Sequence, residues 1–475
     1  MIKALHQQYQ KMVFVLPPSS HEGRRYCPSH HPIMTASLAG VARNAGAEVL
    51  VIDALITGQS RAEVVQEIQQ LDVDWIGIMP FEYRRELPLE SSLALTRMLK
   101  ETGVAVPIGL LNCPMGRVDV RQAVEQCVHF ALLGDSEAAV ERFAAHGDFD
   151  VAGVIYNGGD GLVEKSLSQT AARPVMTVPA WDLFEHQSYI PSAHRYVQRP
   201  VLPVMASRSC PFGCDFCPHT LYNTAESYSA RAPQQVVAEI ENLRKLYSVK
   251  NIEFYDPTFG INREKTLELC HRLQALEKPI GWSCYSRCDL LDFALLSEMK
   301  KAGCHTILFG VESGNEDVLN RTGKEINLQD VVQMVQHCQQ LDIQTIASFI
   351  LGLPLDDVDS LQQTIHFACT LNPTFAQFHQ ARAFFAHPEW KELGRVMEDW
   401  EETSSSVNGL AYIPNGLTVE QLHWFLFKAY VRFYTRPQKI VSLLRQIQSP
   451  SDMKRYVLGG QQIAQHLMRL TSFAR

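Results

Sequence analysis

Three cysteines stand within eight residues of one another, in the string Cys210-Pro-Phe-Gly-Cys214-Asp-Phe-Cys217. Thiolates are soft ligands, and at this density they select an iron–sulfur cluster or zinc. A cubane cluster normally takes four cysteines. Three leave one iron open, and an open iron can chelate a small molecule. Structural zinc wants four closed ligands, and His219, just beyond Cys217, would complete such a set. No second C-x-x-C pair follows at finger spacing, which disfavours zinc. The other nine of the 12 cysteines are scattered. They read as buried free thiols, not as a disulfide scaffold.

Such a ligand set needs a rigid support, and the flanking sequence supplies one. Residues 201–209 (VLPVMASRS) predict a strand that delivers the chain to the first cysteine. Further strands are predicted at 250–256, 281–287, 306–313, 344–354 and 375–384, alternating with helices at 232–247, 263–276, 293–303, 328–342 and 360–372. About six β/α units make a partial (β/α)6 barrel of parallel strands, whose chemistry belongs at the strands' carboxyl ends. Upstream, strands are predicted at 12–18, 48–54, 74–80, 106–111 and near 130, with helices at 36–47, 61–72 and 89–103. That alternation implies an α/β, doubly wound parallel sheet. Ligands of such sheets lie beyond the strands' carboxyl ends, here residues 17–20, 80–84, 112–116 and 134–137. Residues 147–200 carry Gly, Pro and aromatics without periodicity and read as an irregular linker. The expected organisation is a sheet domain over 1–146, a linker over 147–195, a barrel over 196–390 and a mostly helical region over 391–475.

The C-x3-C-x2-C spacing, with Phe216 before the third cysteine, resembles the motif of the radical S-adenosylmethionine (SAM) superfamily. The resemblance implies a [4Fe–4S] cluster on Cys210, Cys214 and Cys217, whose open iron binds the amino and carboxylate groups of SAM. Reduction then cleaves SAM to a 5′-deoxyadenosyl radical, while the protein supplies placement and water exclusion. It also implies an external electron donor such as flavodoxin or ferredoxin. Other strings resemble the same family in the expected order. In YDPTFGINR (255–263), Asp256 would lie near the cofactor. In SRCDLLD (286–292), Arg287 would pair the cofactor's carboxylate through its planar fork. GVESGNEDVLN (310–320) would set Glu312 and Ser313 near the ribose or methionyl part, and ILGLP (350–354) would run along the adenine. Phe216, Asp256, Arg287, Glu312 and Ser313 are thus the cofactor-binding set that the resemblance implies. Each residue alone also has a structural reading: Asp256 as a turn residue, Arg287 in an ion pair, Glu312 as a helix cap. Their order behind the cysteines favours the functional reading, more for Arg287 and Glu312 than for Asp256.

From about residue 12 to 440 the chain resembles the branch of the superfamily with a cobalamin-binding domain, including PAWDL in the linker and VRFYTRPQKI at 431–440. The resemblance implies cobalamin as a third cofactor. There is no D-x-H-x-x-G string, so no histidine from that motif is offered to the lower cobalt face. The third strand end, PFEYRRELP (80–88), is bulky and charged where a corrinoid tail would need small residues. The function expected is a cobalamin-dependent methyltransferase acting on an unactivated carbon of a small metabolite. The alternative is a radical SAM dehydratase, dehydrogenase or rearrangement enzyme that transfers no methyl group. Its general acid or base would come from Glu82, His219, Tyr222 or His379. A non-enzymatic iron–sulfur sensor is disfavoured by the ordered SAM segments.

Composition bounds the partners. The formal net charge is −8 and no stretch is strongly basic, which argues against nucleic acid, because phosphate binding needs clustered Lys and Arg. The chain is 46% hydrophobic and 20% charged, as ordinary globular proteins are. No apolar run reaches the roughly 18 residues that span a bilayer. The N-terminus has no signal-peptide pattern. The expectation is therefore a cytoplasmic enzyme with a small-molecule substrate.

Overall fold

A computed structural model describes residues 9–18, 30–82, 85–86, 89–113, 118–147, 149, 151–158, 161–165, 177–217, 228–382, 388–396, 412–447 and 450–471. The chain divides into two compact units, Met1–Pro191 with Leu221–Ser229, and Ser192–Thr220 with Ala230–Arg475.

The first unit is built on strands β1 (Lys11–Leu16), β2 (Glu48–Asp53), β3 (Trp75–Ile78), β4 (Ile108–Cys113), β5 (Phe130–Leu133), β6 (Val154–Asn157) and β7 (Leu162–Glu164). They form one sheet in the order β2-β1-β3-β4-β5-β6-β7. The first five run parallel. Met12, Val13, Phe14 and Val15 of β1 are fully buried, the continuous apolar run that a strand covered on both faces requires. Helices α1 (Ile33–Asn44), α2 (Arg61–Gln70), α3 (Leu89–Glu101), α4 (Val118–Gln126) and α5 (Glu137–His146) make the connections. Gly109 on β4 is required by its neighbour: a Cβ there would lie 2.1 Å from the Phe130 ring.

Described parts of the stretch expected to be an irregular linker carry regular structure. β6 and β7 add an antiparallel pair to the sheet edge, turning at Gly158 to Gly161, where Gly161 has φ 137. Strands of four and three residues are too short for periodicity to reveal. Farther on, the PAWDL segment docks on α1. Ala180 N–H donates to Ala36 O at 2.8 Å, and Arg43 grips Asp182 with two nitrogens at 3.0 and 2.9 Å. Gly40 is the close-approach point, since a Cβ there would come within 2.5 Å of the Val178 carbonyl oxygen. At the third strand end, Phe81–Glu82 and Arg85–Glu86 pair as a small antiparallel ribbon.

The second unit holds β8 (Val201–Val204), β9 (Asn251–Phe259), β10 (Gly281–Ser286), β11 (Cys304–Glu312), β12 (Gln344–Leu351) and β13 (Phe375–Gln380). All six are parallel and lie in sequence order, the topology of a partial (β/α)6 barrel. Its helices are α6 (Pro233–Tyr247), α7 (Arg263–Gln274), α8 (Phe293–Lys301), α9 (Glu316–Arg321), α10 (Leu328–Gln340) and α11 (Val358–Leu371). Asn262, Asp292, Asn315, Asn327 and Asp357 each cap the helix that follows them, so the connections carry their own start signals.

Beyond the barrel come α12 (Pro388–Leu393), an antiparallel pair of Gly394–Val396 with Tyr412–Pro414, and helices α13 (Val419–Tyr434), α14 (Pro437–Arg445) and α15 (Pro450–Thr471). Two α13 tyrosines finish the exposed edge of β13. The Tyr434 hydroxyl accepts from Ala376 N–H at 3.1 Å and donates to Ala376 O at 2.9 Å. Tyr430 does the same at Phe378, at 3.3 and 3.2 Å. An edge that would otherwise invite another strand is thereby closed.

Candidate active site

The cysteine segment leaves the carboxyl end of β8. Asp256 of the neighbouring β9 holds that exit: its carboxylate accepts from Ala206 N–H at 2.8 Å and from the Ser207 hydroxyl at 2.5 Å. Burial pushes the Asp256 carboxyl up to about 6, while the Ser207 and backbone hydrogen bonds hold it down. Ser209 then takes a left-handed turn, φ 62, into Cys210, whose Sγ lies 3.4 Å from the Thr258 hydroxyl. The loop closes on itself with Cys217 N–H donating to Cys214 O at 3.1 Å.

Cys214 is the buried member of the three. Burial pushes its thiol up, and the Lys324 and Arg287 cations oppose that push. The Arg287 Nη1 lies 3.7 Å from Cys214 Sγ. Asp215 ties the loop down from the other side. Its N–H donates to Thr322 O at 3.2 Å, and its carboxylate accepts from the Trp390 indole at 3.1 Å, with Arg321 3.6 Å away. Phe216 packs against Val318, Leu353, Ala381, Trp390 and Tyr412.

The other implied site residues gather at the adjacent strand ends. At the end of β11, Glu312 has φ 69 and its carboxylate is paired with Lys324 in a nearly buried ion pair. Gly310 makes the room, because a Cβ there would run into both charged groups. Ser313 is fully buried. Its hydroxyl is spent on the Thr364 hydroxyl and on Asn315 N–H, each at 3.1 Å, so it shapes the turn. After β12, the Gly352 and Leu353 N–H groups both donate to Asp356 at 2.9 Å, and Ser360 donates to its other oxygen at 2.6 Å. That fixes the backbone of the ILGLP string. Of the acid–base candidates, His379 lies on β13 and is exposed. His219 and Tyr222 lie outside the described residues, as does the Glu82 side chain.

Sequence reasoning missed Lys324, Asp289, Asp356 and the Asp215–Trp390 contact. Asp289 carried a signal, a carboxylate two residues after a strand-end arginine. Lys324 carried none, because it meets Glu312 only once α9 has folded between them.

The donor set fits a cluster held by three cysteines. Cys210 and Cys217 are half-buried, and Cys214 lies against two cations that favour its thiolate. Among the described residues no three His, Cys, Asp or Glu side chains stand close enough to share one ion. A cubane asks for less, because no iron needs more than one cysteine, so three cysteines serve three of its irons and leave the fourth open.

Burial, opposed by Ser360 and backbone hydrogen bonds, pushes the Asp356 carboxyl up to about 6. A carboxyl whose pKa rises on folding favours the protonated native chain. Its contribution to stability is present below the ordinary value near 4 and is lost as the pH rises through 6. Asp356→Asn should therefore gain on wild type by roughly 2–3 kcal/mol between pH 4 and pH 7.5, read by chemical denaturation at both. A pH-independent difference would show that Asp356 stays ionised.

Residues 204–368 match the Radical SAM superfamily. The chain is 25% identical over 452 residues to an uncharacterized methyltransferase of Pyrococcus horikoshii, covering 91% of this chain and 94% of the relative. It is also 25% identical over 444 residues to the anaerobic magnesium-protoporphyrin IX monomethyl ester cyclase of Cereibacter sphaeroides, covering 90% of this chain and 70% of the cyclase. Two solved structures share its architecture. The cobalamin-dependent SAM radical enzyme OxsB with aqua-cobalamin bound superposes with a TM-score of 0.64 at 14% identity, over 97% of this chain and 71% of that one. The radical SAM methyltransferase TsrM of Kitasatospora setae, with cobalamin and a [4Fe-4S] cluster bound, gives 0.61 at 14% identity, over 78% and 72%. The likeness to both structures is one of fold. Among the described residues no helix is long and apolar enough to cross a membrane.

Proposed function

We propose that this chain is a cobalamin-dependent radical SAM methyltransferase that acts on an unactivated carbon of a small metabolite. The observation that carries the reading is the cysteine loop itself. Cys210, Cys214 and Cys217 follow the carboxyl end of the first barrel strand, and Cys214 lies beside the charged residues Arg287, Glu312 and Lys324. The parallel sheet of the first unit, whose fold resembles that of OxsB and TsrM, supports corrinoid binding, and the methyltransferase names among the relatives support the reaction.

When bound, the [4Fe–4S] cluster with SAM supplies a 5′-deoxyadenosyl radical, and cobalamin supplies a methyl carrier. The chain's own residues do the rest. Cys210, Cys214 and Cys217 would hold the cluster, and Thr258 and Arg287 steady two of the sulfurs. Asp256 orients the strand exit that delivers Cys210. Phe216 and the 350–354 backbone, fixed by Asp356, would line the adenine, and Glu312 would lie near the ribose or methionyl part. The Asp256 and Ser313 side chains act through the backbone they hold. We place the enzyme in the cytoplasm, drawing electrons from a flavodoxin or ferredoxin.

The protein reconstituted anaerobically, supplied with hydroxocobalamin and desalted should retain corrinoid absorption at one equivalent. It should also carry label from methyl-labelled SAM onto that corrinoid. Reductive formation of 5′-deoxyadenosine with no corrinoid retained would give the function to a dehydratase, dehydrogenase or rearrangement enzyme. Neither product from a loaded cluster would sink both readings.

A further inference from the structure

We infer that Arg287 is a positioning residue for the cluster's cysteine loop, holding Cys214 and setting the charge at its sulfur, instead of clamping a cofactor carboxylate. The inference rests on the reading of Cys210, Cys214 and Cys217 as cluster ligands. Its basis is where the guanidinium is already committed. Nε and Nη2 each donate to Asp289 at 3.0 Å, and Nη2 also donates to Lys324 O at 2.8 Å. Nη1 points at Cys214 Sγ, 3.7 Å away. The planar fork that a free carboxylate would use is taken by Asp289.

The guanidinium touches the loop twice. Besides Cys214, it stacks on Phe212, with the Arg287 Cζ 3.9 Å from the ring centroid. A cation over an aromatic face is attracted to it, more strongly where water is excluded, and the Arg287 side chain is only 8% exposed. Asp289 is 27% exposed, so it can orient the fork without being stranded in the interior. Phe212 and Cys214 are thereby fixed relative to β10, and the loop's other end is fixed through Asp215 and Trp390. Lys324 adds a second cation, but Glu312 balances it.

The chemical consequence concerns the reduction potential. Hydrogen bonds to the sulfurs and nearby charge set the potential of an iron–sulfur cluster. A reduced cluster carries one more negative charge than an oxidised one, so an N–H donor and a cation at Cys214 favour the reduced form. Their removal should make the cluster harder to reduce.

The test is a redox titration of the reconstituted full-length protein followed by electron paramagnetic resonance, without SAM. Arg287→Gln should load iron and sulfide as wild type does, with its midpoint potential moved to a more negative value. Arg287→Lys, which keeps the charge and loses the fork, should move it less in the same direction. SAM affinity measured by calorimetry on the oxidised proteins should stay at the wild-type value. An unmoved midpoint in a loaded Gln variant overturns the inference. So does a loss of SAM affinity at unmoved potential, which would return Arg287 to the carboxylate. Should the Gln variant fail to load, wild-type protein grown with guanidino-15N arginine supplies the answer. Its reduced cluster should show a 15N coupling that the Lys variant lacks, and a missing or persistent coupling overturns the inference. Wild-type protein that binds no iron would overturn the cluster reading itself, which is a separate result.

Discussion

Cys214→Ala should abolish cluster assembly, with iron and sulfide content falling to background and no 5′-deoxyadenosine formed. The same loss is expected at Cys210 and Cys217. A cluster on three cysteines has no spare protein ligand, and the loop is too tightly tethered for a remote thiol to substitute. Asp256 fixes its entry, and Asp215 binds Thr322, Trp390 and Arg321. Cys270, Cys304 and Cys338 are the controls. All three are buried, and burial pushes their thiols up, which makes them poor ligands and poor nucleophiles. Their alanine variants should keep full iron content at a cost of about 1 kcal/mol in stability. Iron retained by Cys214→Ala, or lost from Cys304→Ala, would sink the assignment.

Much of the scaffold was legible because its signals are local. The barrel strands alternate with helices of ordinary length, a pattern that can be read along the chain, and three cysteines at close spacing need no tertiary knowledge to be noticed. The edge pair Val154–Asn157 and Leu162–Glu164 was hidden because short strands have no period to read. The candidate site residues could be named from the sequence, but their side-chain partners could not. Arg287 is one of them, yet its partners Cys214 and the Lys324 carbonyl lie 73 and 37 residues away. Ser313 stands at the expected strand end but turns its hydroxyl to Thr364, 51 residues on. A motif states which residue types arrive together. Which atoms each one satisfies depends on neighbours that only the closed barrel supplies.

Lys324 is the residue for which that difference has the largest energetic consequence. Its side chain and that of Glu312 are 7% and 8% exposed. Each charge is held in the interior chiefly by the other. Removing one partner of a buried ion pair costs about 3–5 kcal/mol, because the remaining charge is left uncompensated. Lys324→Met should therefore lower the unfolding free energy of the cluster-free chain by an amount in that range, read as an earlier denaturation midpoint at unchanged slope. Adding Glu312→Gln should recover much of the loss, since it removes the stranded charge. The double variant then gives a coupling energy that the single variants cannot. The Lys324 carbonyl also holds Arg287, so a segment displaced by the stranded carboxylate would carry Arg287 away from Cys214. Lys324→Met should accordingly lose iron faster to a chelator than wild type, and the double variant should return toward the wild-type rate. A Lys324→Met chain with an unchanged denaturation midpoint would show that the pair is hydrated and does not support the loop.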